Sequence, residues 1–158
     1  MLSKGCPYLH AKTSKFKESG CEFNITGAEY MLSLKGETVR DIYSCIHKES
    51  KESKKSVDLI IFATNNKTEK RVLLVEISNH MHSLSDLRNK FENSLKNFQA
   101  IWLCDKENLR DLSIKLIIIY KKIKTPSEFD VIKSKEIRFR GKKYRFYLNK
   151  CNEVFDLK

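Results

Sequence analysis

Long apolar runs are missing from this sequence. No stretch approaches the roughly 20 residues a membrane span needs, and the opening "MLSKGCPYLHAK" lacks the extended apolar core of a secretory leader. No membrane partner is expected. Proline and glycine are scarce, two and five in 158 residues, while 41% of the chain is hydrophobic and 32% charged. That balance excludes a disordered or low-complexity chain. Paired cysteine spacing is missing too: Cys6, Cys21, Cys45, Cys104 and Cys151 are odd in number and scattered. Free thiols in a reducing, cytoplasmic setting are the expectation. Internal repeats and linkers are absent, so a single domain is expected over 1–158.

Acidic residues are in deficit. There are 31 Lys and Arg against 20 Asp and Glu, a net charge of +11. Residues 1–79 hold 13 basic and 10 acidic side chains, residues 80–158 hold 18 and 10, and 115–150 alone hold 12 and 3. This asymmetry suits a polyanionic partner, most often nucleic acid, against the plainer reading of a solvated Lys-rich surface.

Residues 1–22 read as an irregular N-terminal segment. "EYMLSL" (29–34) suits either a strand or a first helical turn, and Gly36 breaks the pattern. Val39, Ile42, Tyr43 and Ile46 recur at helical spacing over 37–49. "VDLIIFAT" (57–64), "NNKTEK" and "RVLLVEIS" (71–78) form a hairpin pattern. Leu84, Leu87, Phe91, Leu95, Phe98 and Trp102 predict a helix over 83–104, with Ser83 and Asp86 as a capping signal. "IKLIIIY" (114–120) reads as a strand buried on both faces, and "EIRFRGKKYRFYLNK" (136–150) as a hairpin turning at Gly141-Lys142. The whole predicts an α/β domain with a single mixed central sheet flanked by helices.

Two acids stand inside the hairpin's apolar strands. Alternation puts Glu76 on one face with Val72, Leu74 and Ser78, and Leu73, Val75 and Ile77 on the other. An unpaired carboxylate among such neighbours is costly. Asp58, on the adjacent strand, can converge with it into a hard oxygen site for Mg²⁺ or Mn²⁺. The structural alternative has Asp58 capping the strand and Glu76 pairing with Arg71 or a helix lysine.

Asp58, the hairpin and "VEIS", followed by a helix and a strand, resemble the PD-(D/E)XK nuclease superfamily over about residues 36–120. The resemblance implies a restriction-endonuclease-like core in the order helix, three-stranded meander, helix, strand, with one strand here short or displaced. It implies Asp58 and Glu76 as catalytic metal ligands and an acid from the preceding helix, Glu37 first and Glu29 second. The usual lysine is replaced by Ser78, whose hydroxyl lacks the positive charge. A lysine from the following helix, Lys90 ahead of Lys96, is the expected substitute. The implied activity is Mg²⁺-dependent hydrolysis of nucleic-acid phosphodiesters, DNA by family analogy. A homodimer is among the arrangements open to it. Rival readings are an inactive nucleic-acid-binding fold, a protein-interaction subunit and a metal-independent RNA-processing enzyme.

Other clusters carry less. Cys6, His10 and Cys21 offer three zinc ligands where a structural site wants four. His80 and His82 follow the Glu76 strand and suit a metal or general base. Cys45 and His47 are two apart on a helix and do not face each other. Arg138, Arg140, Lys142, Lys143 and Arg145 interleave with Phe139, Tyr144, Phe146 and Tyr147 and are the expected nucleic-acid contacts.

Overall fold

A computed structural model of the chain describes residues 10–11, 15–28, 30–47, 55–65, 69–80, 83–102, 112–123 and 125–157. Its centre is a hairpin and a crossover. Strand β5 (Leu59–Asn65) turns back into β6 (Glu69–His80), helix α2 (Leu84–Trp102) crosses over, and β7 (Ser113–Lys122) returns parallel to β6. Ahead of them stand β1 (His10–Ala11), β2 (Lys15–Glu18), β3 (Cys21–Thr26), β4 (Tyr30–Lys35) and helix α1 (Gly36–His47). Behind them come helix α3 (Pro126–Ser134), β8 (Glu136–Phe139), β9 (Lys142–Lys150) and β10 (Val154–Asp156).

The architecture is α/β, with two sheets rather than the single one expected. Seven strands form a mixed sheet in the order β1-β4-β5-β6-β7-β9-β8, and β10-β3-β2 form a second. Alternation along β6 and β7 explains why both are needed. Val72, Leu74, Leu116 and Ile118 face Leu87, Phe91, Leu95 and Phe98 of α2. Leu73, Val75, Ile77, Ile117 and Ile119 face the other way, where Phe16, Phe23, Ile25 and Phe155 of the second sheet cover them. A central strand apolar on both sides needs a layer on each.

That second layer overturns the irregular reading of 1–22 wherever the segment is described. Ser19 and Gly20 have φ of 51° and 71°, a two-residue turn joining β2 to β3. Phe16, Cys21, Phe23 and Ile25 alternate into the core. Cys21 and Cys151, expected as free thiols, are joined in a buried disulfide, with Cα atoms 5.4 Å apart. Nothing in their separation of 130 residues announces that approach. Cys45 is free and exposed, and Cys6 and Cys104 lie outside the described residues.

From Tyr30 on, the segment read as 29–34 is strand β4, not a helical turn. The sheet neighbours β4, β5 and β6 are antiparallel, but α1 stands between β4 and β5 in the chain instead of before all three. The C-terminal hairpin turns at Arg140-Gly141 (φ 47° and 78°) rather than Gly141-Lys142, because both central residues of so tight a turn need positive φ. Among the described residues, no helix is long and apolar enough to cross a membrane.

Candidate active site at the strand β5–β6 carboxylates

Asp58 lies on the bend just before β5. The register pairs Leu59 with Val75, and its continuation sets Asp58 opposite Glu76. Backbone packing fixes the bend. Gly36 N–H donates to the Asp58 carbonyl at 2.9 Å. A Cβ on Gly36 would fall 1.7 Å from the Val57 carbonyl oxygen, so only glycine fits. From the other side, Val57 N–H donates to Ser94 Oγ of α2 at 3.0 Å. The Asp58 carboxylate accepts from Ile77 N–H at 2.6 Å, a charge-assisted bond that aims it at the β6 backbone beside Glu76.

Glu76 is 1% exposed, and Lys90 of α2 forms an ion pair with its Oε1. Burial, then the nearby Asp58 charge, push the Glu76 carboxyl up to about 7 against the pull of Lys90. The cation that makes this carboxylate tolerable here is therefore a lysine, the helix lysine named in the structural alternative. Lys90 is also the one reached by the resemblance. Lys96 instead sits 5.4 Å over the Tyr43 ring. Ser78 is buried two residues beyond Glu76, level with Tyr120 of β7.

Asp58 and Lys90 line an open pocket of about 540 Å³ together with Glu37, Arg40, Lys55 and Asp86 among others, and Glu76 is reached from it through its partner Lys90. Glu37 enters from the first turn of α1. Lys55 and Asp86, which pair with each other across the pocket, were not singled out as site residues. Lys55 sits in a polar run without periodicity, and Asp86 reads from the sequence only as part of a capping signal; the cap itself is Ser83, whose Oγ accepts from Asp86 N–H at 3.3 Å. Among the described residues, no three His, Cys, Asp or Glu side chains converge as a ready-made metal cluster.

Glu29 and His82 lie outside the described residues, and His80 ends β6 with its side chain likewise outside them. The zinc set loses Cys21 to the disulfide. His47 stacks on Tyr43, with ring centroids 4.3 Å apart.

The basic hairpin stands at the far end of the sheet. Glu76 is level with Ile118, and Ile118 with Leu148, whereas the hairpin turn precedes Lys142. Six residues of strand separate those levels, about 20 Å. Arg145 and Lys143 pair with Glu136, and Lys142 Nζ donates to the Leu112 carbonyl at 3.3 Å. Arg138 and Arg140 are exposed.

No family model matches the chain, and neither a curated protein nor a solved structure is similar to it at a significant level.

Proposed function

We propose that this chain is a divalent-metal-dependent nuclease of the PD-(D/E)XK kind, acting on DNA in preference to RNA by analogy with that family. The observation that carries the reading is Glu76 and Asp58 facing each other across antiparallel strands, with Lys90 from the following helix on Glu76. An aspartate at the entry of one strand, a glutamate in the next and a lysine from the following helix support this reading, the lysine bringing a positive charge that Ser78 lacks. The donor set fits Mg²⁺ or Mn²⁺. Magnesium commonly takes one or two carboxylates and completes its shell with water and substrate phosphate, so a ready-made cluster of three is not required.

Asp58 and Glu76 would hold the ion, and Glu37 lies in the same pocket to accept from its waters. Bound there, the ion supplies charge neutralisation at the scissile phosphate and an acidified water. Asp58 is kept in place by the Ile77 N–H, so it needs little reordering. Lys90 lines the pocket, and with an ion held by Glu76 its ammonium would be available to orient water or meet a phosphate oxygen. Ser78 stands behind to position water. The hairpin's Arg138, Arg140, Lys142, Lys143 and Arg145 would grip the backbone further along. A duplex laid along the strands spans the 20 Å gap in about six base pairs.

The test is cleavage of labelled DNA with Mg²⁺, with Mn²⁺ and with EDTA, using Glu76→Gln and Asp58→Asn beside the parent. Cleavage by the parent alone, lost in EDTA, is expected. Salt-dependent binding without any cleavage would instead make the chain an inactive nucleic-acid-binding module.

A further inference from the structure

A second depression opens on the same rim of the sheet. Ser78 is level with Tyr120, so Tyr120 lies one strand across from the carboxylate strand, about 4.8 Å away. Tyr120 shares the helix-side face with Leu116 and Ile118, the face that also carries Glu76 and Ser78. Its ring meets Phe129 of α3 edge-on, with centroids 5.9 Å apart and an interplanar angle of 76°. With Ile123 and Pro126 these rings line an open, largely apolar hollow of about 440 Å³, with Thr125 and Asp130 at its polar margin. That volume lies within the roughly 300–1,000 Å³ of small-molecule sites.

Its walls and surroundings differ in character. Both rings are only half-buried. Burial, and then the Glu153 charge, hold the Tyr120 phenol above its ordinary range, so it stays neutral. Lys122, exposed and on the same face of β7 as Tyr120, and Lys133, whose Nζ lies 5.8 Å over the Phe129 ring, flank the hollow. An apolar aromatic floor with Lys122 and Lys133 beside it suits a ligand with flat π-faces on a polyanionic backbone better than an aliphatic protein side chain.

We propose that the Tyr120–Phe129 hollow is a nucleobase-stacking subsite, taking one unpaired base of the strand whose backbone crosses the Asp58–Glu76 site. The subsite rests on the nuclease reading for its substrate class and deepens it. The enzyme would prefer single-stranded, flapped or flipped nucleotides over an unbroken duplex. Asp130, exposed at the margin, would accept from an exocyclic amine and bias the base taken.

The experiment is fluorescence anisotropy of the full chain in EDTA, where no cleavage intervenes. A labelled single-stranded oligonucleotide is compared with versions carrying an abasic position moved along the strand. At one position, base removal should weaken binding by the parent about tenfold. Tyr120→Leu and Phe129→Leu should each weaken binding of the intact strand by a similar factor and erase the abasic effect. The salt slope should not change, because no phosphate contact is lost. Equal affinity of the parent for intact and abasic strands overturns the subsite, and this arm does not depend on any variant folding. So does an abasic effect that survives both substitutions in variants that melt like the parent. Glu76→Gln separates the two readings. If it cleaves like the parent while the abasic effect is present, the nuclease site fails and the stacking subsite stands.

Discussion

The two ends of the main sheet are both crowded with charge, and the charges live differently. At the carboxylate end Glu76 is 1% exposed and Lys90 17%, and the Asp58 carboxylate is held by a backbone N–H. At the hairpin end Arg145 is 76% exposed and Lys143 58%, sharing the single partner Glu136. Exposed pairs of the second kind contribute about 0–1 kcal/mol. Removing one partner of a buried pair costs far more, because the other charge is left behind in the core. A fold that retains such a pair at a pocket's edge has committed it to one place, whereas the hairpin's cations are interchangeable.

The largest expected effect breaks the buried pair. Lys90→Met should cost about 3–5 kcal/mol in urea denaturation at pH 8. At pH 5.5 the loss should shrink, because Glu76, with its carboxyl raised to about 7, can then take up a proton. The sign follows from linkage. A carboxyl raised above its unfolded value near 4.5 favours folding fully below that value, and the contribution disappears as pH rises through 7. The contribution at stake is on the order of 3 kcal/mol. Glu76→Gln should flatten this pH dependence and cost less at pH 8 than Lys90→Met, because the Lys90 ammonium it leaves behind is 17% exposed at the pocket and Glu76 is only 1% exposed. Under the proposed nuclease function, activity should run the opposite way. Holding a cation requires the ionised carboxylate, so Mg²⁺-dependent cleavage should rise with pH through about 7 in a rate–pH profile.

Ser78→Ala sharpens the contrast at smaller scale. If the hydroxyl only positions water, the cleavage rate should fall about tenfold with little change in melting temperature. The smallest effect belongs to the hairpin. Changing Arg138, Arg140, Lys142 and Lys143 to Ala should move stability by about 1 kcal/mol or less, while flattening the salt dependence of nucleic-acid binding. An unchanged salt slope would show that the hairpin end does not touch the backbone at all.

The same contrast governs what could be read from the sequence. Strands β5, β6 and β7 and helix α2 declare themselves, because long apolar runs and three- and four-residue spacing are set by burial of whole faces. The face shared by Val72, Leu74, Glu76 and Ser78 follows from alternation alone, and the structure has it. The second sheet was missed although Phe16, Cys21, Phe23 and Ile25 alternate around Ser19-Gly20; interspersed lysines and acids hid a period of two. Helix α3 was missed with its signal in plain view. Thr125, Pro126 and Glu128 spell a capping box with proline in the first turn, and Glu128 N–H does meet Thr125 Oγ1 at 3.4 Å. The Cys21–Cys151 bond and the distance from hairpin to carboxylates depend on strand order, which no local pattern carries. Lys90 was legible only as one of two lysines a turn and a half apart. Which of them reached Glu76 depended on the packing of α2 across β6.

The central claim is that Asp58 and Glu76 hold a divalent cation that displaces Lys90, and its most direct measurement is anomalous diffraction from crystals soaked in Mn²⁺ at pH 8. The account predicts one strong peak between the Asp58 and Glu76 carboxylates, with the Lys90 ammonium moved into the pocket, and no such peak in Glu76→Gln crystals. Saturating Mn²⁺ that leaves Lys90 paired with Glu76, with no peak between the carboxylates, would contradict it.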